Sequence, residues 1–247
     1  MIEQAVRIAT PDGNSAGVLL QPESGTSRPG VLFVTDIGGI RETMMEMARR
    51  VAGEGCAVLM PNIFHRTGEP PVFDFPRKAG DERTMKRFAE LSTPLTPEAV
   101  ARDAGAYVDH LTRHCTGSVA AVGFCIGGGV ALRVAAARPD KVAAVASFHG
   151  GGLCTDAPGS PHLLLPQVKA RLYFGHADQD RNMTAEAIEK FNTALAAWGG
   201  KYESELYAGA AHGWTVPDSA SYHRQQAERA YGKLAELLRE TLGTRAA

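Results

Sequence analysis

The stretch SVAAVGFCIGGGV, Ser118 to Val130, decides how the rest of the chain is organised. Val119 to Val122 is a continuous apolar run of the kind buried on both faces of a sheet. It passes directly into a glycine-rich turn, and the small residues that follow continue as a helix to Arg138, closed by Pro139. At its centre Gly123-Phe124-Cys125-Ile126-Gly127 is a G-x-nucleophile-x-G pattern with cysteine in the place often held by serine. The spacing has a physical reason. A nucleophile displayed on a sharp strand-to-helix turn brings neighbouring backbone so close that the flanking positions must lack side chains. The helix then points its N-terminus at the turn, so the amide of Ile126 and the positive end of the dipole face Cys125 and favour a thiolate there. Read blandly, Cys125 is one more small buried residue; the remainder of the chain distinguishes the two readings.

Working outward, the elements alternate. Ala5–Ala9 and Gly17–Gln21 flank the turn Pro11-Asp12-Gly13-Asn14 and predict an opening antiparallel hairpin. After the Pro/Gly/Ser-rich loop from Pro22 to Gly30, Val31–Val34 is a buried strand ending in Thr35-Asp36-Ile37-Gly38-Gly39. A helix over Arg41–Gly53 and a strand over Cys56–Met60 complete a parallel βαβ unit. The long connection Asn62–Gly80 is expected over the active site. Helices follow over Asp81–Leu91 and from Thr96 to about His114. Beyond the central stretch come strands over Val142–Phe148 and Val168–Phe174, a helix over Thr184–Trp198, a strand over Tyr202–Tyr207 and a closing helix over Ser219–Leu242. The pattern predicts one α/β domain over residues 1–247, with a mostly parallel central sheet and helices on both faces.

Composition excludes several classes. The chain has 247 residues and a net charge of -1, which removes the electrostatic footprint of a nucleic-acid binder. It has no run of about 18 apolar residues and no signal-like N-terminus. A cytoplasmic location and no membrane partner are expected. Cys56, Cys115, Cys125 and Cys154 show no C-x-x-C spacing, so neither a zinc site, a redox pair nor a disulfide framework is indicated. No metal or cofactor is expected, and charge leaves a monomer or a small homo-oligomer open.

In an open α/β sheet the residues just after the strands carry the chemistry. Those are Asp36-Ile37, Asn62, Cys125-Ile126, His149, Asp178/Asp180 and His212. Nucleophile, acid, histidine is the chain order of an α/β-hydrolase. A thiol attacking an acyl carbon needs a base, for which His212 stands in the small-residue loop after the last strand, and the base needs an orienting acid. Asp178 lies three residues after a glycine. Asp180 precedes the helix cap at Thr184, whose geometry would fix the loop, and is preferred, with Asp178 as the alternative. The amides of Ile126 and Ile37 are the expected donors to a tetrahedral oxyanion. His65, His110, His114, His162, His176 and His223 are read as surface or loop residues, and His149 as a residue able to touch the site by position.

Thr35-Asp36-Ile37-Gly38-Gly39-Ile40, Gly123-Phe124-Cys125-Ile126-Gly127-Gly128, the Asp178/Asp180 loop and Ala211-His212-Gly213 together resemble the dienelactone hydrolase family of α/β-hydrolases. The resemblance implies Cys125 as nucleophile, His212 as base, Asp180 or Asp178 as acid, and Ile37 with Ile126 as oxyanion hole. It also implies a thiol-gating acid at Asp36, where a glutamate is often found. The family's carboxylate-binding arginines fall on Met85 and Val216, so a substrate carboxylate would need Arg66, Arg77, Arg83, Lys86 or Arg87, while Trp214 and Phe73 suggest a more apolar pocket. The implied activity is cofactor-free cleavage of a small ester or lactone through an acyl thioester. The alternatives are a general esterase or thioesterase for apolar acyl groups, an idle binding module on the same fold, and a thiol peroxidase or redox sensor, for which no resolving cysteine is apparent.

Overall fold

The computed structural model describes residues 1–23, 28–78 and 80–244. Residues 24–27 of the loop after the hairpin, and residue 79 of the long connection, lie outside the described residues. The hairpin is strands β1 (Ile2–Thr10) and β2 (Gly13–Gln21), and the βαβ unit is β3 (Gly30–Val34), α1 (Glu42–Ala52) and β4 (Ala57–Pro61). Then follow α2 (Glu82–Ser92), α3 (Pro97–Thr112), β5 (Val119–Phe124), α4 (Ile126–Ala137), β6 (Val142–Phe148), β7 (Arg171–Gln179), α5 (Ala185–Trp198), β8 (Tyr202–Ala211) and α6 (Arg224–Leu242). They build an eight-stranded sheet in the order β1-β2-β4-β3-β5-β6-β7-β8. β1 with β2 and β2 with β4 are antiparallel, and every other pairing is parallel.

The apolar runs explain the burial. β3, β4 and β5 are buried at every position. Because strand side chains alternate, Val31 and Phe33 join one core with Met44, Met47, Leu234 and Leu238, while Leu32 and Val34 join the other with Tyr107, Leu111, Val130 and Leu195. The sheet therefore carries α1 and α6 on one face and α3, α4 and α5 on the other. Each large side chain so buried contributes about 1.5–3 kcal/mol. Helix starts follow local chemistry: the Asp81, Thr96 and Thr184 side chains accept from the amides of Thr84, Ala99 and Ala187. Among the described residues no helix is long and apolar enough to cross a membrane.

Several element boundaries depart from expectation. The last helix begins at Arg224, not Ser219, because Ser219 to His223 forms successive turns, the His223 amide donating to the Trp214 carbonyl, and its first residues face the cavity described below. Pro161–Gln167 is a 3-10 turn, so β7 starts at Arg171 instead of Val168. β8 runs on to Ala211 past a register shift opposite Ala177–Gln179, with Gly209 there at φ +74°. That extension carries the chain to His212.

Two histidines expected at the surface have buried side chains. His65 lies against Asp103, and His176 donates or accepts at Ser204 while burial pushes its pKa down to about 4.

At the central turn the glycines are tightly enclosed. A Cβ on Gly123 would lie 2.0 Å from the Gly127 carbonyl oxygen, and one on Gly127 would lie 2.5 Å from the Thr35 oxygen. Both obstacles are backbone and cannot swing aside. Gly123→Ala is therefore expected to cost at least about 3 kcal/mol of stability, the upper end for forcing a methyl into a packed site, read as a lower urea midpoint. An unchanged midpoint would show that the turn is looser than its contacts imply.

Candidate active site

Cys125 sits between β5 and α4 with φ 56° and ψ -126°, a conformation that non-glycine residues rarely adopt and that persists only where surroundings enforce it. Its amide donates to the Phe148 carbonyl at 3.1 Å, and the Gly128 amide returns to its own carbonyl at 3.0 Å. The turn thus holds the thiol above the carboxyl ends of the strands. As the first residue of α4, Ile126 has no preceding helical carbonyl for its amide.

His212 occupies the loop after β8, where Gly213 at φ +89° and two consecutive turns, Trp214 N to Ala211 O and Val216 N to Gly213 O, fold the chain back. Its Nε2 lies 3.0 Å from Cys125 Sγ, and its Nδ1 lies 2.7 Å from Asp180 Oδ2. The Asp180 side chain is 1% exposed. Its other oxygen accepts from the Asn182 amide at 2.8 Å, in the loop whose end is capped by Thr184. Asp178 faces elsewhere, accepting from the Gly209 amide at 3.0 Å on the exposed side of β8. Burial alone would push the His212 imidazolium toward losing its proton. The Asp180 carboxylate and the Cys125 thiol oppose that and raise its pKa to about 10. Burial pushes Cys56 up to about 12 and Cys115 to about 11, and raises Cys154.

Cys125 and His212 open onto a cavity of about 920 Å³ that also meets Asp36, Ile37, Phe88 and Val216. Ile37 and Ile126, the expected amide donors, both line it. Asp36 stands there too, with its carboxylate gripped at 2.6 and 2.9 Å by Arg41 and reached by the Gly38 amide at 2.8 Å. Arg41 spans to Asp218 through Nε and Nη2 at 2.7 and 2.8 Å, and Arg77 reaches the same carboxylate at 3.3 Å. Burial disfavours the charge on Arg41, but the two carboxylates outweigh it, and Arg41 in turn holds Asp218 below the ordinary carboxylate range. This bridge joins residues 177 apart in sequence, which no local spacing announces.

Among the basic residues expected to meet a substrate carboxylate, Arg77 lines the cavity, as does its neighbour Lys78. Arg83, Lys86 and Arg87 border a separate surface recess with Phe75, and Arg66 is engaged by Asp12 and Asp103. Met85 is 53% exposed, whereas Val216 is buried at the cavity wall. Two aromatic expectations need correction. Trp214 is wholly buried, stacked on Tyr207 with ring centroids 4.8 Å apart, and Phe73 packs edge-on behind Phe88, which takes the wall position. His149, placed by sequence only at a strand end, accepts from the Cys125 amide at 3.1 Å and borders the same cavity. Asn182, Thr215 and the Ser219–Ser221 turn carried no motif and were not foreseen.

A sheet of this order with a tight glycine-flanked strand-to-helix turn at Cys125 and a histidine after the last strand defines the α/β-hydrolase class. Residues 16–242 match the model of the dienelactone hydrolase family, and the chain belongs to that family. A Synechocystis sp. protein assigned provisionally as a carboxymethylenebutenolidase is 28% identical over 237 residues, 92% of each chain. A carboxymethylenebutenolidase of Rhodococcus opacus is 28% identical over 196 residues, 77% of this chain and 73% of that one. A crystal structure of a provisionally assigned dienelactone hydrolase from Klebsiella pneumoniae superposes with a TM-score of 0.84 at 22% identity, covering 96% of this chain and 97% of that chain.

Proposed function

We propose that this protein hydrolyses a small carboxylic ester or lactone through an acyl thioester on Cys125. The observation that carries the reading is the continuous contact from Asp180 Oδ2 to His212 Nδ1 and from His212 Nε2 to Cys125 Sγ, at 2.7 and 3.0 Å. His212 takes the thiol proton, and the sulfur attacks the acyl carbon. A C–S bond forms, and the carbonyl π pair moves onto oxygen, where the amides of Ile37 and Ile126 receive the charge. Collapse breaks the ester C–O bond, and His212 Nε2–H protonates the departing alkoxide. Water, deprotonated by His212, then attacks the thioester; the C–S bond breaks, the acid leaves and the thiol is restored. A pKa near 10 suits His212 to the proton-donating half of this cycle.

On the substrate side, Phe88, Ile126 and Val216 offer apolar contact, and Arg77 with Lys78 offers positive charge at the same cavity. That combination fits an ester or lactone bearing a small anionic or strongly polar group. The general-esterase alternative rests on the apolar wall alone. A gating role for Asp36 requires its carboxylate to leave the two-pronged Arg41 contact, so in the resting state it is assigned to holding Arg41 across the cavity rim.

The test is pre-steady-state hydrolysis of p-nitrophenyl acetate and of a dienelactone, with rapid acid quench and peptide mass analysis. A burst of about one equivalent of nitrophenolate is expected, with an acetyl group on the Cys125 peptide. An acetyl group on any other residue, or turnover without a trapped acyl group, would overturn the assignment. Preference for the carboxylated lactone assigns Arg77 and Lys78 to its charge, whereas preference for the neutral ester removes that assignment.

A further inference from the structure

His149 is 1% exposed, follows β6 and holds φ +43°, a backbone state that costs a side-chain-bearing residue free energy. Every polar atom of its ring is engaged with the two segments that bear the reacting groups. Nδ1 accepts from the Cys125 amide at 3.1 Å, a hydrogen shared with the Phe148 carbonyl. Since Nδ1 accepts, the ring is the Nε2–H tautomer, and that N–H donates to the Thr215 hydroxyl at 2.7 Å. Thr215 lies three residues beyond His212. The His149 ring also crosses the His212 ring at 67° with centroids 5.2 Å apart and meets Trp214 at 5.0 Å. One buried side chain therefore ties the nucleophile turn to the loop of the base, independently of the Cys125–His212 contact itself.

We infer that His149 is a positioning residue: by bridging the Cys125 amide and the Thr215 hydroxyl, it sets the sulfur-to-imidazole separation in the resting enzyme. The inference rests on the proposed roles of Cys125 and His212. Its neutral state follows from burial and from the neighbouring His212, both of which hold its pKa well below the ordinary histidine value. A misplacement of about 1 Å at a reacting pair can cost on the order of 100-fold in rate. His149 borders the cavity, but both ring nitrogens are turned to the Cys125 amide and the Thr215 hydroxyl, so its removal should act on kcat more than on KM.

The measurement pairs turnover with the alkylation rate of Cys125 by iodoacetamide, followed on the Cys125 peptide and needing no substrate chemistry. His149→Phe keeps the ring but removes both polar links. It is expected to lower kcat by about 10- to 100-fold with KM within about twofold, and to slow alkylation by about 10-fold. His149→Asn, whose side chain tolerates positive φ and can accept from the Cys125 amide, is expected to recover part of both rates. Thr215→Val, nearly isosteric, should lose less than His149→Phe in the same direction. Wild-type kcat and alkylation in a folded His149→Phe protein, or a change confined to KM, would overturn the inference. If His149→Phe does not fold, Thr215→Val decides, and unchanged rates there count against it. Failure of the broader proposal looks different: the wild type itself would then show no Cys125-dependent ester cleavage.

Discussion

Cys125→Ala is expected to lower kcat for p-nitrophenyl acetate by about 10⁵-fold or more, the scale of deleting the nucleophile from a triad that acts as a unit. At 1.36 kcal/mol per decade this is about 7 kcal/mol of barrier. The reason lies in the geometry. Among the described residues, the Cys125 sulfur is the atom held within hydrogen-bond reach of His212 Nε2. His212 points at it because Asp180 fixes the far side of the ring. Remove the sulfur and the proposed oxyanion donors, the amides of Ile37 and Ile126, are left with nothing to form the tetrahedral intermediate. The other thiols offer no replacement, since burial pushes Cys56, Cys115 and Cys154 away from the thiolate form. Cys125→Ser is the control for folding, because it keeps a side chain of similar size at φ 56°. Loss of the burst together with a wild-type thermal melt would locate the effect in chemistry. Persistence of turnover in the alanine variant would remove the nucleophile assignment and the acyl-thioester cycle with it.

The fold was legible because its signals are local. Continuous apolar runs mark buried parallel strands, and Gly123 and Gly127 are required where backbone passes within van der Waals contact. The place of His212 after the last strand followed from chain order. What escaped was whatever depends on contacts between distant segments. Arg41 reads as the cap of an ordinary helix, yet it joins two carboxylates across the cavity rim. Trp214 reads as a pocket wall, but it is buried with Tyr207 stacked on it and the His149 ring meeting it edge-on. Ser219 fits the period of the last helix, although the backbone there turns to cover the cavity before α6 begins. The two aspartates after β7 illustrate the limit well. Their spacing in sequence favoured neither strongly, and the register shift against β8 sends Asp178 to the Gly209 amide while Asp180 turns toward His212.

That distinction has a large kinetic consequence. Asp180 uses one oxygen to accept from the Asn182 amide and the other to accept from His212 Nδ1–H. In Asp180→Asn the amide oxygen must face the Asn182 N–H, because two donors cannot meet there. The NH₂ group then faces Nδ1 and, being a donor, selects the imidazole tautomer that carries its proton on Nε2. An Nε2–H faces the thiol as a donor and cannot accept its proton, so kcat is expected to fall by about 10³- to 10⁴-fold. A second readout follows from charge. In the wild type, the imidazolium formed when His212 takes the thiol proton is held by Asp180 and Cys125 until about pH 10, above which it can no longer protonate the leaving alkoxide, so kcat/KM should fall along an alkaline limb near that value. Without the Asp180 carboxylate, burial is opposed by the Cys125 contact alone, and the limb must move to lower pH. An Asp180→Asn enzyme whose residual activity keeps its alkaline limb near pH 10 would show that another group carries the charge. Asp178→Asn is the matched comparison: its carboxylate meets the Gly209 amide on the far side of β8, so both rate and limb are expected to stay within about twofold of wild type.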